Sequence, residues 1–519
     1  MLKKNLQQAL KSRKKDGSTP FDKLVFTFEL VPARASRGKA LDEIINFAEE
    51  TAKDKKICAL SITDNAGGHP ALTPEALGTE IKALGIEPII HFSCKDKNRN
   101  KIESELFELD RSDLNTLLVL TGDYPRYGYK GRAKPVFDLD SVLVLSMIKE
   151  LKAGLIINEK AAAKVKLPPM DFYAGCVVSP FKRTQPEQIQ QYLKLKRKIK
   201  AGAQFIITQM GYDIRKFHEL RLLLDLLKIE IPLIGTVFIP NKRLANILFK
   251  GVIPGCTIPK RLLKEFEDAK DEKEFFLKKA AKLICLLCGL GFQGIHLSGP
   301  GLKYEDINYV IKLSGEYENS WQKYIDEFLF QEEWDSFIFK ENKIKRLNLP
   351  KIDIRKKEKK AKISPSYLIG KAIHNLFFEP GKNLYNFSKK VAKFIEQKGL
   401  ESKLSCIEYF FKEMLYECYR CGDCYLGDIE FLCPQSQCAK RLVNGPCGGS
   451  INGWCEVWPK EKRCLYVRAY ERAALDATAL FKDVEINPPR DWDLDRTSSW
   501  LNFFGQRDHH FIRKIGNED

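Results

Sequence analysis

Residues 116–122 read TLLVLTG, an apolar run that ends in Thr121 and Gly122, directly before Asp123. Seven more short apolar runs precede residue 300, and longer segments with helical spacing separate them. Eight strands that alternate with helices over this length predict an α/β protein with a (β/α)8 barrel. The other seven runs span residues 25–30, 57–63, 87–93, 172–178, 204–209, 232–239 and 291–298.

An open, doubly wound sheet is the alternative fold for the same alternation. Such a sheet usually carries a glycine-rich fingerprint directly after its first strand. Here the first strand is followed by VPARASRG (31–38), which lacks that spacing. The barrel is therefore the favoured prediction, and the longer stretch before the last strand leaves room for an extra helix.

Polar residues stand at the ends of the predicted strands. In a (β/α)8 barrel the C-terminal strand ends meet at one face, where the active site lies. A single residue of this kind usually caps a loop, but several on one rim predict a site. The residues are Glu29, Thr63, Asp64, His91, Thr121, Gly122, Asp123, Gln209, Asn241 and His296.

Two carboxylates of this set, Glu29 and Asp123, come after apolar residues. Burial in apolar surroundings raises the pKa of a carboxyl group, which suits a general acid. The barrel segment has no matched nucleophile and base, and it has no metal-binding motif. These patterns argue against acyl transfer and metal-dependent hydrolysis.

The chain has 519 residues and a net charge of +18. No nucleic-acid-binding motif accompanies this charge, so an acidic protein partner or an anionic ligand is the favoured interpretation. No apolar run reaches the length of a membrane span, and the N-terminus lacks the features of a secretory signal. We therefore expect a cytoplasmic protein, in whose reducing surroundings clustered cysteines favour metal or redox chemistry.

Eight of the 15 cysteines lie within residues 418–464. The first four follow the pattern C-x2-C-x2-C-x8-C-P, which suits a [4Fe–4S] cluster, and the other four suffice for a second site with four thiolate ligands. One or two structural zinc ions are the alternative, although zinc sites usually show paired C-x2-C knuckles. The predicted metal ligands are Cys418, Cys421, Cys424, Cys433, Cys438, Cys447, Cys455 and Cys464. Core positions are expected for Cys58, Cys94, Cys176, Cys256, Cys285 and Cys288.

These features divide the chain into five parts. Near its start, Leu6 and Leu10 recur at helical spacing among lysines, which favours a frayed soluble helix. A charged stretch with few core residues is typical of a linker. The parts are a basic N-terminal segment (1–20), the barrel (21–330), a basic linker (331–365), a cysteine-rich iron–sulfur domain with helices (366–480) and a C-terminal tail (481–519).

Six pieces of the barrel segment together resemble one known family. They are FTFELVPAR (26–34), SITDNAGG (61–68), HFSC (91–94), LTGDYP (120–125), LKRKIKAGAQFIITQMGYD (195–213) and IGTVFIPN (234–241). In this order the pieces make residues 21–310 similar to methylenetetrahydrofolate reductase. The resemblance implies a flavin, FAD or FMN, across the barrel mouth. Its N5 would pass a hydride to the methylene carbon of 5,10-methylenetetrahydrofolate, which gives 5-methyltetrahydrofolate.

The resemblance also implies roles for single residues. Glu29 would protonate the folate N10, Asp123 would lie near the flavin pyrimidine edge and the pterin, and Gln209 would hydrogen-bond the folate. The implied flavin contacts are Thr63, His91, Thr121, Gly122, Asp123, Arg197 and Lys198, of which the last two would face phosphate. The stretch CVVSPFKRT (176–184) departs from the family pattern, and its Lys182 is a further candidate for binding phosphate.

The cysteine-rich unit resembles the small subunit that accompanies some of these reductases in anaerobes that use the reductive acetyl-CoA pathway. The likeness lies in CYRCGDCYL (418–426), CPQSQCAK (433–440) and NGPCGGS (444–450). It implies that iron–sulfur clusters bring electrons to the flavin from ferredoxin or a partner oxidoreductase, within a complex or an oligomer. Two alternatives stay open: an NAD(P)H-dependent reductase with a zinc-stabilised tail, and a non-catalytic scaffold.

Overall fold

The computed structural model describes residues 5–12, 21–157, 164–330, 336–339, 364–382 and 384–515. Its centre is a closed barrel of eight parallel strands, in the order β1-β8-β7-β6-β5-β4-β3-β2. This closure confirms the predicted barrel and excludes the open sheet. The strands are β1 (Val25–Leu30), β2 (Ile57–Ile62), β3 (Glu87–Ser93), β4 (Thr116–Leu120), β5 (Tyr173–Val178), β6 (Phe205–Thr208), β7 (Leu233–Phe238) and β8 (Gly294–Ser298).

Helices follow the strands and surround the barrel. Three of them, rather than one, fill the stretch between β7 and β8. Up to the end of the barrel the helices are α1 (Leu6–Lys11), α2 (Lys39–Asp54), α3 (Pro74–Ala83), α4 (Arg99–Arg111), α5 (Ser141–Ala153), α6 (Gln185–Lys200), α7 (Ile214–Leu226), α8 (Lys242–Phe249), α9 (Lys260–Glu267), α10 (Glu272–Gly289) and α11 (Tyr304–Tyr317).

Apolar side chains lie on both faces of the barrel strands, as expected for parallel strands that are buried on both sides. One layer packs between strands and helices, and the other fills the interior with residues such as Ile89, Phe205 and Ile234. The helix α1 closes the N-terminal end of this interior: Leu6 and Leu10 are fully buried in the inner layer. The expectation of a frayed helix at this place was therefore wrong.

Residues 336–339 pack against the barrel, although the sequence suggests that the linker begins at 331. Phe337 and Phe339 are buried, and the Ile338 amide donates to Glu219 Oε2 at 2.6 Å. The rest of the predicted linker, apart from residues 364 and 365, lies outside the described residues, as does most of the basic segment 1–20.

The second unit is helical at both ends and irregular around its cysteines. Its helix Leu465–Arg472 packs on α6 of the barrel. No helix among the described residues is both long and apolar enough to cross a membrane. The helices of this unit are α12 (Pro365–Ile373), α13 (Tyr385–Gln397), α14 (Glu401–Tyr416), α15 (Pro434–Gln437), α16 (Leu465–Arg472), α17 (Ser499–Phe504) and α18 (His509–Ile515).

The predicted C-terminal tail is part of this folded unit. The ring of His509, at the start of α18, lies between two carboxylates of the cysteine segment: its Nδ1 is bonded to Asp423 and its Nε2 lies 3.0 Å from Asp428 Oδ2. Arg513 also donates to Asp428, at 2.6 Å. Asp423 and Asp428 stand on either side of Cys424 in the sequence, so these contacts attach the last helix to the cysteine segment.

Candidate functional site

The first part of the site lies between β1 and β8, where Thr27 is in register with His296. Side chains two residues apart in a strand share a face, so Thr27 and Glu29 point the same way, as do His296 and Ser298. His296 Nδ1 lies 2.9 Å from Thr27 Oγ1, and its Nε2 lies 3.5 Å from Glu29 Oε2. Ser298 Oγ donates to Glu29 Oε1 at 2.7 Å. The Glu29 carboxylate thus has two polar partners from β8.

These partners decide the ionisation of Glu29. Burial raises the pKa of its carboxyl group, but the contact with His296, the electrostatic influence of His91 and the hydrogen bond from Ser298 outweigh burial. The net result is a pKa of about 2. The expectation that burial alone raises this pKa was wrong, and Glu29 is a carboxylate at neutral pH.

His91, at the end of β3, lies beside this pair. Its Nε2 is hydrogen-bonded to Ser61 Oγ. Burial lowers the pKa of His91 to about 4, so the ring is neutral at pH 7. Directly after β2, the buried Thr63 Oγ1 has no hydrogen-bond partner within the described part of the chain. A hydroxyl that is buried without a partner is costly, so this position suits a polar ligand.

The ligand atoms of Glu29, His91 and His296 lie within 4.8 Å of one another, which would also suit a cation. Ser61 and Thr27 already bond one nitrogen of each imidazole. The three side chains thus form one network with Thr27, Ser61 and Ser298.

The loop after β4 holds Gly122 and Asp123. Gly122 has φ +83°, and a Cβ there would lie 2.7 Å from Lys95 Cγ, so both backbone and space require glycine. Asp123 is exposed, and its Oδ2 accepts a hydrogen bond from the Gly67 amide at 2.7 Å. The expectation of apolar surroundings for Asp123 was wrong.

Three further predicted positions each have a polar contact within the barrel segment. Thr121 is buried, and its Oγ1 lies 3.5 Å from Lys194 Nζ. Gln209 directs its Oε1 to the Met210 amide at 2.8 Å, and Asn241 caps α8 by accepting from the Leu244 amide. The contact of Asn241 is thus that of a structural cap at the end of a loop.

The basic residues assigned to phosphate bind backbone carbonyls instead. Lys182 is 2% exposed and donates to the carbonyls of Gly448 and Ser450 in the cysteine segment. Arg197 donates to the Glu485 carbonyl at 2.8 Å, and Lys198 to the Val177 carbonyl at 2.6 Å. Their role as phosphate contacts stays a prediction, since each has a protein partner already.

Lys440 is a residue of the site that the sequence did not indicate. Its Nζ donates to the Gly122 carbonyl at 2.7 Å and forms an ion pair with Glu456. Lys440 is 3% exposed. No spacing pattern links residues so far apart in the chain, so only the tertiary structure reveals this contact. The cysteine segment therefore reaches the rim of the barrel mouth.

The eight clustered cysteines fall into two groups of four, which we call the distal and the proximal group. Burial raises the pKa of Cys418 to about 12, and the thiols of Cys424 and Cys433 act in the same direction. Burial also raises the pKa of Cys464 to about 12, here with the thiols of Cys438 and Cys455. The distal group is Cys418, Cys421, Cys424 and Cys433, and the proximal group is Cys438, Cys447, Cys455 and Cys464.

The two groups differ in their surroundings. Three proximal cysteines pack against the main hydrophobic core, which is shared by the barrel and the second unit. Two distal cysteines, Cys424 and Cys433, belong to a separate small cluster around Tyr416, and Lys412 Nζ lies 3.5 Å from Cys424 Sγ. The proximal group is therefore tied to the barrel, and the distal group to the helical part of the second unit.

The cysteines expected in the core lie in the barrel segment. Cys58 is half-buried rather than fully buried. The others are buried as predicted: Cys94, Cys176, Cys256, Cys285 and Cys288.

A family comparison agrees with this arrangement. The model of the family described as methylenetetrahydrofolate reductase matches residues 16–299, more than half of the chain. The chain belongs to the methylenetetrahydrofolate reductase family. A second family model, described as the C-terminal part of methylenetetrahydrofolate reductase, matches residues 398–493, which include all eight clustered cysteines. Both units of the structure thus have counterparts among these reductases.

Curated methylenetetrahydrofolate reductases match the barrel at low identity. Methylenetetrahydrofolate reductase 1 of Schizosaccharomyces pombe is 22% identical over 270 residues, which cover 51% of this chain and 41% of the yeast protein. Methylenetetrahydrofolate reductase 2 of Saccharomyces cerevisiae is 25% identical over 236 residues, 44% of this chain and 36% of that protein. The probable NADH-type enzyme of Oryza sativa is 24% identical over 293 residues, 53% and 45% of the two chains. The chain thus spans less than half the length of these relatives.

One solved structure similar to the chain is an uncharacterized protein from Clostridium thermocellum, described as binding two copies of 5-methyl-5,6,7,8-tetrahydrofolic acid. It covers 60% of this chain and 99% of its own, at 15% identity and a TM-score of 0.41. At that TM-score the likeness does not establish a shared fold.

Proposed function

We propose that the protein reduces 5,10-methylenetetrahydrofolate to 5-methyltetrahydrofolate at the C-terminal mouth of the barrel. In this reaction the bond between the methylene carbon and N10 breaks, N10 takes a proton, and the carbon takes a hydride. The observation that carries the proposal is Glu29, held by His296 and Ser298 at the end of β1, in a chain of this family. The carboxylate is the residue that the family resemblance assigns to N10.

Proton delivery needs the Glu29–His296 pair rather than Glu29 alone. With a pKa of about 2, the carboxyl group holds no proton of its own at neutral pH. His296 Nε2 lies 3.5 Å from the carboxylate, and Thr27 fixes the orientation of the ring through Nδ1. We propose that a proton enters on His296 and that Glu29 passes it to N10, with the two groups acting as one titrating unit.

A flavin, FAD or FMN, would supply the hydride at this mouth. The residues present fit such a group, because the buried hydroxyl of Thr63, unpartnered among the described residues, offers a polar contact at this mouth. The neutral ring of His91 adds no charge to this surface. Asp123 and Gln209 stand at the positions that we assign to the pterin and the folate, and both are partly or fully exposed for contact.

The clustered cysteines would hold two [4Fe–4S] clusters, which exchange single electrons. The C-x2-C-x2-C-x8-C-P pattern of the distal group supports the first cluster, because zinc sites usually show paired C-x2-C knuckles. The four half-buried thiols of the proximal group suffice for the second.

The order of the two groups supports electron entry from outside. The proximal group is next to the barrel mouth, because Lys440 lies between Cys438 and Cys447 in the chain and binds the Gly122 carbonyl. Cys418 of the distal group is half-buried, next to the exposed residues 419 and 420. We propose ferredoxin or a partner oxidoreductase as the donor, with electrons passing from the distal side to the proximal side.

A second candidate is direct reduction by NADH, with zinc in the cysteine segment. The names of the plant relatives, which include NADH, favour it. Anaerobic purification followed by flavin, iron, sulfide and zinc analysis of one sample separates the two. We expect flavin and about eight irons per chain, and turnover with reduced ferredoxin. Zinc without sulfide, together with rapid flavin reduction by NADH alone, would contradict the electron route.

A further inference from the structure

Nearly half of the exposed large hydrophobic side chains among the described residues lie between residues 368 and 419. Large apolar side chains gathered on a surface usually mark a binding site. The most regular group is a stripe on one face of α14, with 48–65% of each residue exposed. We call this stripe the α14 stripe; it consists of Ile407, Phe410, Phe411 and Met414.

The opposite face of the same helix is buried and polar. Lys412 donates to Glu408 Oε1 at 2.7 Å, and its Nζ lies 3.5 Å from Cys424 Sγ. The helix ends at Tyr416, two residues before Cys418. A partner on the α14 stripe would therefore lie one helix diameter, about 10 Å, from the distal group.

Charge around the stripe indicates the kind of partner. The neighbouring segment 385–403, which contains α13, has five lysines and two glutamates. One glutamate, Glu396, is bound by Arg507 at 2.6 Å. Lys389, Lys390 and Lys393 are exposed, and no ion pair of theirs occurs within the described part of the chain. Because α13 contacts α14, these lysines stand on the helix next to the stripe.

We infer that the α14 stripe and the exposed lysines of α13 form the docking surface for an acidic electron-carrier protein. This inference rests on the proposed function, since it gives the donor its place beside the distal group. A second copy of this chain fits less well, because a two-fold contact through the same surface would bring lysines together. Opposite charges at a rim raise the association rate, and apolar side chains at the centre give the affinity.

Binding of an acidic ferredoxin to the full-length protein tests the surface without any turnover. We expect Phe410→Ser to weaken binding by about tenfold, as for the loss of a central aromatic contact. Lys390→Glu with Lys393→Glu should weaken binding severalfold at low salt and less at high salt, because salt screens exposed charges. Two matched controls, Phe107→Ser on α4 and Lys312→Glu on α11, remove exposed residues of the same types from the barrel and should leave binding unchanged.

Turnover then separates this inference from the proposed function. With a small chemical reductant in place of ferredoxin, Phe410→Ser should reduce methylenetetrahydrofolate as fast as the unaltered protein. Absence of turnover with every donor would refute the proposed function and leave the binding result as it stands. Unchanged ferredoxin binding by Phe410→Ser would overturn the docking surface. So would a loss of self-association, or of binding to vesicles of anionic lipid, in place of a loss of ferredoxin binding.

Discussion

Lys440 Nζ lies 2.7 Å from the carbonyl oxygen of Gly122, so that the cysteine segment touches the barrel loop assigned to the flavin and the pterin. Lys182 of the barrel makes the reciprocal contact with the carbonyls of Gly448 and Ser450. Two buried lysines, one from each unit, thus bind backbone of the other unit. These two contacts join the barrel mouth to the segment that carries the proximal cysteines.

Replacing Lys440 should loosen this junction. Lys440→Met leaves the carboxylate of Glu456 buried without its partner, which typically costs about 3–5 kcal/mol of unfolding free energy. The double variant Lys440→Met with Glu456→Gln should recover part of that loss, because the second change removes the charge. Urea unfolding measures both. Equal stability of the single and double variants would show that an unpaired charge on Glu456 is not the cause of the loss.

Glu29→Gln should abolish most turnover while the flavin stays bound. An amide of the same shape can neither take up a proton from His296 nor pass one to N10, and general acid catalysis is typically worth about 10²–10⁴ in rate. The measurement is kcat with flavin content determined on the same preparation. The control is Glu43→Gln on the exposed surface of α2, for which we expect no change. Full activity of Glu29→Gln would remove Glu29 from the proton path.

His296→Asn should raise the pKa of Glu29 from about 2. Burial already raises this pKa, and the contact with His296 is the chief opposing influence. The carboxyl group of the variant then takes up a proton at a higher pH. Difference infrared spectra of the carboxyl group, with Glu29→Gln as the blank, follow this titration. A pKa that stays near 2 in the variant would contradict the coupling of the two residues.

His91 should make the protein less stable as pH falls from 6.5 to about 4. Burial lowers the pKa of His91 from 6.5 to about 4, so in this window the unfolded chain binds a proton that the folded protein does not. Stability is therefore complete above pH 6.5 and falls by about 3 kcal/mol on the way to pH 4. Urea unfolding across this range should show a flatter profile for His91→Asn. Replacement of the exposed His69 by Asn should leave the slope as it was.

Single serine substitutions should separate the two cysteine groups. Cys418→Ser removes a proposed cluster ligand from the distal group and Cys447→Ser one from the proximal group, so each variant should lose about half of the iron and sulfide. Cys406→Ser, an exposed thiol on α14, is the matched control and should keep both. Loss of all iron in either variant would mean that the eight cysteines do not form two independent sites.

The strands and their polar ends could be predicted from the sequence because both depend on local pattern. Parallel strands buried on two sides are continuous apolar runs, and β4 begins at Thr116 in the structure as in the sequence pattern. The ionisation of Glu29 could not be predicted in the same way. It depends on His296, which the chain brings to β1 only when the barrel closes.

The contacts of the basic residues were also beyond a local pattern. Lys182 carries a charge near a predicted strand end, which makes it a candidate for binding phosphate. In the structure this lysine donates to two backbone carbonyls of the second unit, those of Gly448 and Ser450. Similarly, Leu6 and Leu10 show helical spacing in the sequence, but nothing local indicates that the helix belongs inside a barrel.

The position of α1 has a consequence for how the protein is made. Translation produces this helix before any strand of the barrel, yet its place is bounded by residues that are synthesised much later: Leu10 packs near Gly294 of the last strand. The helix therefore cannot reach its buried position until nearly three hundred further residues have been synthesised. The helix α1 is synthesised before every strand but is among the last elements to reach its final position. Proteolysis of this segment before the barrel closes would leave the N-terminal end of the barrel interior uncovered.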